Sequence, residues 1–134
     1  MYVLYLLLID ELKICKEYLD IQKVRFKEAL KYSVNIDEQQ ISIAQIPIFA
    51  VQVLLENAIK HNILTIENPL VIEITLTSGN KLKVSNNLQE MKKTDIVSTQ
   101  IGLKNLQERY ALLDKKEISI FKTTDKFEVT LSLV

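Results

Sequence analysis

The stretch "LLENAIKHN", Leu54 to Asn62, closes an apolar run with Glu56, Asn57, Lys60, His61 and Asn62. Upstream, Ile48, Phe49, Val51, Val53, Leu54, Leu55, Ala58 and Ile59 are apolar nearly all round a helical wheel. That pattern predicts a buried helix from Pro47 to about Asn62, with Pro47 as its first residue. On such a helix Asn57 and His61 share one face, and Glu56 and Lys60 share another. An amide, a carboxylate, an ammonium and an imidazole then gather at the last turn. Two readings follow. The cluster is a solvated helix end, where Lys and His favour the dipole. Or it is a site, in which the Asn57 oxygen serves as a hard ligand for Mg²⁺ and Lys60 neutralises phosphate charge.

Working outward, "LVIEITLT" (Leu70–Thr77) and "KLKVSNN" (Lys81–Asn87) alternate with period two around "SGN", the signature of a β-hairpin. Asn86 stands at the end of the second strand, where its amide can pair with a purine edge or simply make a turn. Leu88 to Gln100 reads as a polar loop. In "STQIGLKN" (Ser98–Asn105), Gly102 is expected to open a helix with Leu103, Leu106, Tyr110 and Leu113 on one face. Free backbone N–H groups there would favour an anion, with Lys104 and Asn105 adding donors; a tight turn is the alternative. "EISIFKTT" and "KFEVTLSL" form a second hairpin around Asp125.

Towards the start, Asp10 can cap a helix running to about Leu30. Leu12, Cys15, Leu19, Gln22, Phe26 and Ala29 form a seam at three-four spacing that wants a partner. Lys31 to Asp37 reads as a short strand. The order is helix, strand, helix, hairpin, loop, helix, hairpin. It predicts an α+β fold: a two-layer sandwich of a mixed, mostly antiparallel sheet with helices on one face, plus a leading helix. Residues 1–30 read as the end of a linker helix and 31–134 as the domain.

Composition sets bounds. The chain has 134 residues, enough for one real core. Lysines and arginines number 17, as do aspartates and glutamates, so net charge argues for neither nucleic acid nor membrane surface. The single cysteine, Cys15, excludes an internal disulfide framework and reads as a small buried hydrophobe. The apolar start, "MYVLYLLLI", is nine residues long against the roughly 20 a membrane helix needs, so it reads as a packing segment.

Taken in order, "ENAIKH", "VSNN" and "IGLKN" resemble the N, G1 and G2 boxes of the ATP-binding fold shared by histidine kinases, gyrase-type topoisomerases and heat-shock chaperones (the Bergerat, GHKL or HATPase_c fold). With "DELKICKEYLDIQKVRF" and "GLKNLQERYALL", the chain from Asp10 onward resembles the autolysin-sensor (LytS-like) sensor histidine kinases. The resemblance implies an ATP-binding catalytic domain, with Asn57 as Mg²⁺ ligand and Lys60 and His61 near the phosphates. Glu56 belongs to the same box. Asn86 takes the place of the aspartate that reads the adenine amino group. Gly102, Leu103, Lys104 and Asn105 form the phosphate-facing helix start, and Leu88 to Ile101 the ATP lid.

The resemblance also implies a cytoplasmic domain of an inner-membrane protein, homodimeric in full, with a LytTR-type response regulator downstream and no membrane contact by this segment. His61 is the only histidine. If it belongs to the nucleotide site, the phosphoacceptor helix of the kinase lies outside these residues, and this chain is a fragment that does not phosphorylate itself. Several positions depart from the pattern. Leu88 replaces a glycine and would crowd the base, Gln100 replaces another, and Val53 stands where gyrase-type ATPases keep a catalytic glutamate. A valine cannot activate water, so efficient ATP hydrolysis is not expected. The contrasting reading is a non-catalytic relative that serves as a dimerisation or partner-docking module. The apolar start and the unpartnered seam further lead us to expect self-association.

Overall fold

The computed structural model describes residues 3–90 and 97–134. In chain order its elements are β1 (Tyr5–Leu7), α1 (Leu8–Phe26), β2 (Leu30–Asn35), β3 (Gln45–Pro47), α2 (Ala50–His61), β4 (Leu70–Thr77), β5 (Lys81–Asn87), α3 (Val97–Ala111), β6 (Ile118–Lys122) and β7 (Lys126–Ser132). The two predicted hairpins are present as β4–β5 and β6–β7. Gly79 (φ 84°) and Asn80 (φ 60°) supply the left-handed turn that closes the first. The strands join in the order β2-β4-β5-β7-β6, with β2 parallel to β4 and the other pairs antiparallel. This is the α+β fold with a mixed, mostly antiparallel sheet that the pattern predicts.

Strand alternation decides which residues meet the helices. On β4, Leu70, Ile72 and Ile74 are buried while Glu73 is exposed. Paired residues of adjacent strands share a face. Ile74 lies opposite Val84, Val84 opposite Val129, and Leu82 opposite Leu131, so these form one apolar layer. Asn86 pairs with Ile72 and Phe127 and is therefore carried on the same inner face. Leu54, Leu55, Ala58 and Ile59 of α2 are buried in the same core as this layer. Burying each large aliphatic side chain contributes about 1.5–3 kcal/mol.

The first helix differs from its expectation. Leu8, Leu12, Cys15 and Leu19 are buried in the same core as Ile72 and Leu55. Its seam is thus partnered within the chain, which removes the reason for expecting self-association from that seam. Residues 8–30 and 31–134 share one hydrophobic core. Asp10 is not the cap: α1 begins at Leu8, and Asp10 adds its charge to the first turn without a capping hydrogen bond. The helix stops at Phe26, where Lys27 turns to φ 52°, and Leu30 already belongs to β2.

Pro47 also falls elsewhere. It ends β3, which pairs antiparallel with β1, Tyr5 facing Pro47, and α2 starts only at Ala50. Hydrogen bonds between Gln45 and Val134 (3.0 and 2.8 Å) tie the last residue to the same ribbon. Proline cannot donate in a sheet interior, but a two-stranded ribbon is all edge.

The placement of α1 predicts a contrast within one helix. Leu12 is buried, whereas Val24 is 79% exposed. Leu12→Ala should lose about 2–5 kcal/mol in urea denaturation, and Val24→Ala about 0.5 kcal/mol or less. Equal losses would contradict the packing of α1 into the core.

Candidate functional site

The site is built on α2, and its geometry begins at that helix's first turn. Phe49, the N-cap, has φ 61° and offers no side-chain acceptor. A helix start leaves backbone N–H groups without partners. Glu11 of α1 supplies them: its Oε1 accepts from Phe49 N (3.0 Å), and its Oε2 from Val51 N (3.1 Å) and Gln52 N (3.3 Å). Glu11 is fully buried. Burial pushes its carboxyl above the ordinary carboxylate range, partly offset by the three N–H bonds and by the Arg109 guanidinium. Arg109 of α3 also donates to the Ile48 carbonyl. Three helices therefore meet at one turn.

The far end of α2 is tied to the strand-end segment. Asn62, 1% exposed, donates to Ala58 O (2.8 Å) and accepts from Gln89 N (2.6 Å). Ile63 N donates to Gln89 O (2.9 Å). Of the two asparagines ending β5, Asn87 is structural. It accepts from Val71 N (2.7 Å) and donates to Pro69 O (3.0 Å), bridging β5 to β4. Asn86 faces the helices. Its amide nitrogen donates to Asn87 O (2.8 Å), so its oxygen is the group available to a ligand N–H.

Between these elements lies a cavity of about 240 Å³. Its walls include Asn57, Ala58 and His61 from α2, Asn86 and Leu88 at the end of β5, Leu103 from α3, and Phe127 from β7. Apolar sides with a few polar groups suit a flat heterocycle. Leu88 lines the cavity. An adjoining depression of about 590 Å³ is lined by Phe49, Val53, Gly102, Asn105 and Arg109, among others. Gly102 lines this second space and not the first. A methyl group there would come 3.4 Å from Val53 Cγ1 and 3.9 Å from Asn57 Oδ1.

The structure thus brings Asn57, His61, Asn86 and Leu103 together, with Gly102 and Asn105 alongside. Lys60 and Lys104 are exposed and line neither space. Glu56 lies off the cavity and accepts from Gln52 Nε2 (3.3 Å). Gly102 does not open a helix. α3 begins at Val97, five residues earlier, so the Gly102 N–H lies inside the helical ladder and is no free anion donor. The expected lid, Leu88 to Ile101, falls partly on residues 91–96, outside the described residues; Val97 to Ile101 are helical. The Gln100 side chain also lies outside the described residues.

Glu11 was not among the predicted site residues. The signal for it is a charge in the apolar seam, three residues after Leu8 and four before Cys15. Glu90 and Lys122, paired at 2.6 Å on the cavity rim, left no local signal.

Half-buried His61 senses that rim. Burial lowers its pKa below the ordinary 6.5, with Glu90 raising it and Lys122 lowering it. A depressed folded value means that the neutral form suits the fold. His61 therefore contributes stability above pH 6.5, lost as pH falls through the folded value. As the only histidine, it gives one resolved imidazole signal in NMR. Its midpoint should fall below 6.5, move up in Lys122→Gln and fall further in Glu90→Gln. A midpoint at or above 6.5 would contradict a desolvated cavity wall.

No protein-family model matches the chain. Among curated proteins it is 32% identical over 126 residues to the uncharacterised protein YwpD of Bacillus subtilis, covering 86% of this chain and 45% of that one. It is 32% identical over 109 residues to the sensor histidine kinase YesM of Bacillus subtilis, covering 77% of this chain and 19% of the relative. It is 40% identical over 57 residues to the sensor histidine kinase BtsS of Escherichia coli, covering 42% and 10%. The chain thus spans less than half the length of each. Among solved structures, the catalytic domain of histidine kinase ThkA aligns with TM-score 0.61 at 15% identity, covering 98% of this chain and 96% of that one. The mycobacterial sensor histidine kinase MprB aligns with TM-score 0.57 at 8% identity, covering 98% of both. At these identities the solved structures speak for the fold. The chain is a relative of the sensor histidine kinases and has the fold of their catalytic domains.

Proposed function

We propose that this chain is the ATP-binding catalytic domain of a two-component sensor histidine kinase of the autolysin-sensor type. One observation carries the reading: Asn57, Asn86 and Leu103, from the three boxes, line a single cavity. The residues suit the substrate. Leu88, Leu103 and Phe127 give a purine apolar contact, and the Asn86 oxygen accepts from an exocyclic amino group. Asn57 offers one hard oxygen. No group of three or more His, Cys, Asp or Glu gathers among the described residues, so Mg²⁺ would rely on Asn57 and on phosphate oxygens.

When bound, Mg-ATP supplies the γ-phosphoryl group, and catalysis of its transfer is mostly positioning and charge neutralisation. Asn57 would hold the metal end, with His61 one turn on near the phosphates, and Asn86 would border the base. Lys60, exposed at the last turn of α2, serves as a phosphate cation only by reaching over the cavity rim. Val53 provides no base for water, which favours transfer over hydrolysis. The acceptor histidine is supplied from outside these 134 residues, on the phosphoacceptor helix of a dimeric kinase, with a LytTR-type response regulator downstream. The parent protein would sit in the inner membrane with this domain on the cytoplasmic side; among the described residues, no helix is long and apolar enough to cross a membrane.

Mg-ATP at about ten times its Kd should stabilise the fold by about 1.4 kcal/mol, a shift of a few degrees in Tm. Asn57→Ala should remove the Mg²⁺-dependent part, and Asn86→Ala should weaken binding of the adenine nucleotide. No shift at millimolar nucleotide, with Asn57→Ala matching the parent, would favour the non-catalytic docking module instead. The off-cavity position of Lys60 and the modest cavity are the observations that keep that second reading in view.

A further inference from the structure

α2 carries both Asn57 and His61, yet the group that completes its first turn belongs to a different helix. The three N–H donors of that turn find their acceptor 38 to 41 residues away in sequence. A Ser or Asp at position 49 is the ordinary local way to satisfy such donors. Phe49 cannot do it. Cap and interhelix joint are therefore the same contact. We propose that Glu11 is the positioning residue that seats α2, so that α1 sets where Asn57 and His61 stand at the cavity.

Three observations carry this. The contact is bifurcated, with both carboxylate oxygens used, so it fixes direction as well as distance. A fully buried carboxylate is costly to place, and among the described residues its electrostatic neighbours besides the helix start are Arg109 and the weakly acidic Cys15. And α2 is stiff: Asn57 lies five residues beyond Gln52, about 7.5 Å along the helix axis. A displaced first turn carries the whole rod with it. α3 lies beside α2 at that point: a methyl at Gly102 would sit in ordinary contact, 3.4 Å from Val53 Cγ1 and 3.9 Å from Asn57 Oδ1. Leu103, next to Gly102 on α3, lines the same cavity as Asn57, so a movement of α2 changes the spacing between them.

The functional consequence rests on the nucleotide-site reading above; the positional claim does not. The test compares the 134-residue chain with Glu11→Gln, which keeps the shape but sets an amide NH₂ against N–H donors. Leu76→Ala serves as control, a partly buried residue of β4 paired with Leu82 and away from the α2 start. Circular dichroism and urea denaturation establish folding and match the loss of stability. NMR follows the Asn57 and Asn86 side-chain amides and the His61 imidazole, and Kd for Mg-ATP is measured alongside. Glu11→Gln should move the Asn57 and His61 signals and weaken Mg-ATP binding about tenfold or more, while Leu76→Ala leaves both near the parent. Unmoved Asn57 and His61 signals in Glu11→Gln, or equal movement in the control, would overturn the proposal. If the parent itself binds no Mg-ATP, the nucleotide reading fails, and the NMR signals still decide the role of Glu11. Should Glu11→Gln not fold, Glu11→Asp keeps the charge but retracts it by one methylene and should move the same signals.

Discussion

A buried carboxylate against a helix start organises this molecule. The first turn of α2 presents donors that must be satisfied, and the dipole there favours negative charge. Glu11 meets both demands at once, from α1, with Arg109 of α3 closing over the preceding carbonyl. The apolar contacts among the three helices are non-directional. This polar joint selects which turn of α1 meets which turn of α2. The rest follows from that docking: the buried face of α2 is aimed at the sheet, and the Asn57–His61 face is left along the cavity.

The cavity in turn depends on strand register. Asn86 reaches it because β5 pairs with β4 and β7 so that Asn86 shares a face with Ile72 and Phe127. A slip of one residue would turn Ser85 inward and Asn86 out. Asn87 guards against that slip through its two bonds to the start of β4. Asn62 performs the matching task at the other wall, holding the end of α2 to Gln89. Two of the asparagines near the cavity are thus fasteners, while Asn57 and Asn86 also line the cavity.

The likeness to the ThkA catalytic domain at 15% identity shows how little of the fold is carried by particular residues. Period-two strands and a helix apolar nearly all round are enough to specify the layers. Identity is higher against the sensor histidine kinases YesM and BtsS, over parts of the chain.

Much of this was legible in the sequence, and for a common reason. The β4–β5 and β6–β7 hairpins, the burial of α2 and the shared face of Asn57 and His61 all follow from local period and turn chemistry. What was not legible involves partners distant in the chain. Pro47 reads locally as a helix start, yet pairing with Tyr5 places it in a strand. Gly102 reads as a helix start, yet it sits inside α3, which begins five residues earlier and runs beside Val53 of α2. The seam of α1 reads as unpartnered, yet its partners are the chain's own core. Glu11 stands as a charge in the apolar seam of α1, and only α2 set against it shows what it holds. The sequence by itself determined the two hairpins, the buried helix and four of the side chains that line the cavity, Asn57, His61, Asn86 and Leu103, because those depend on periodicity and turn chemistry along one segment. Only the tertiary structure decided how the segments dock, because that depends on which buried donors and side chains find partners across 38 or more residues of chain.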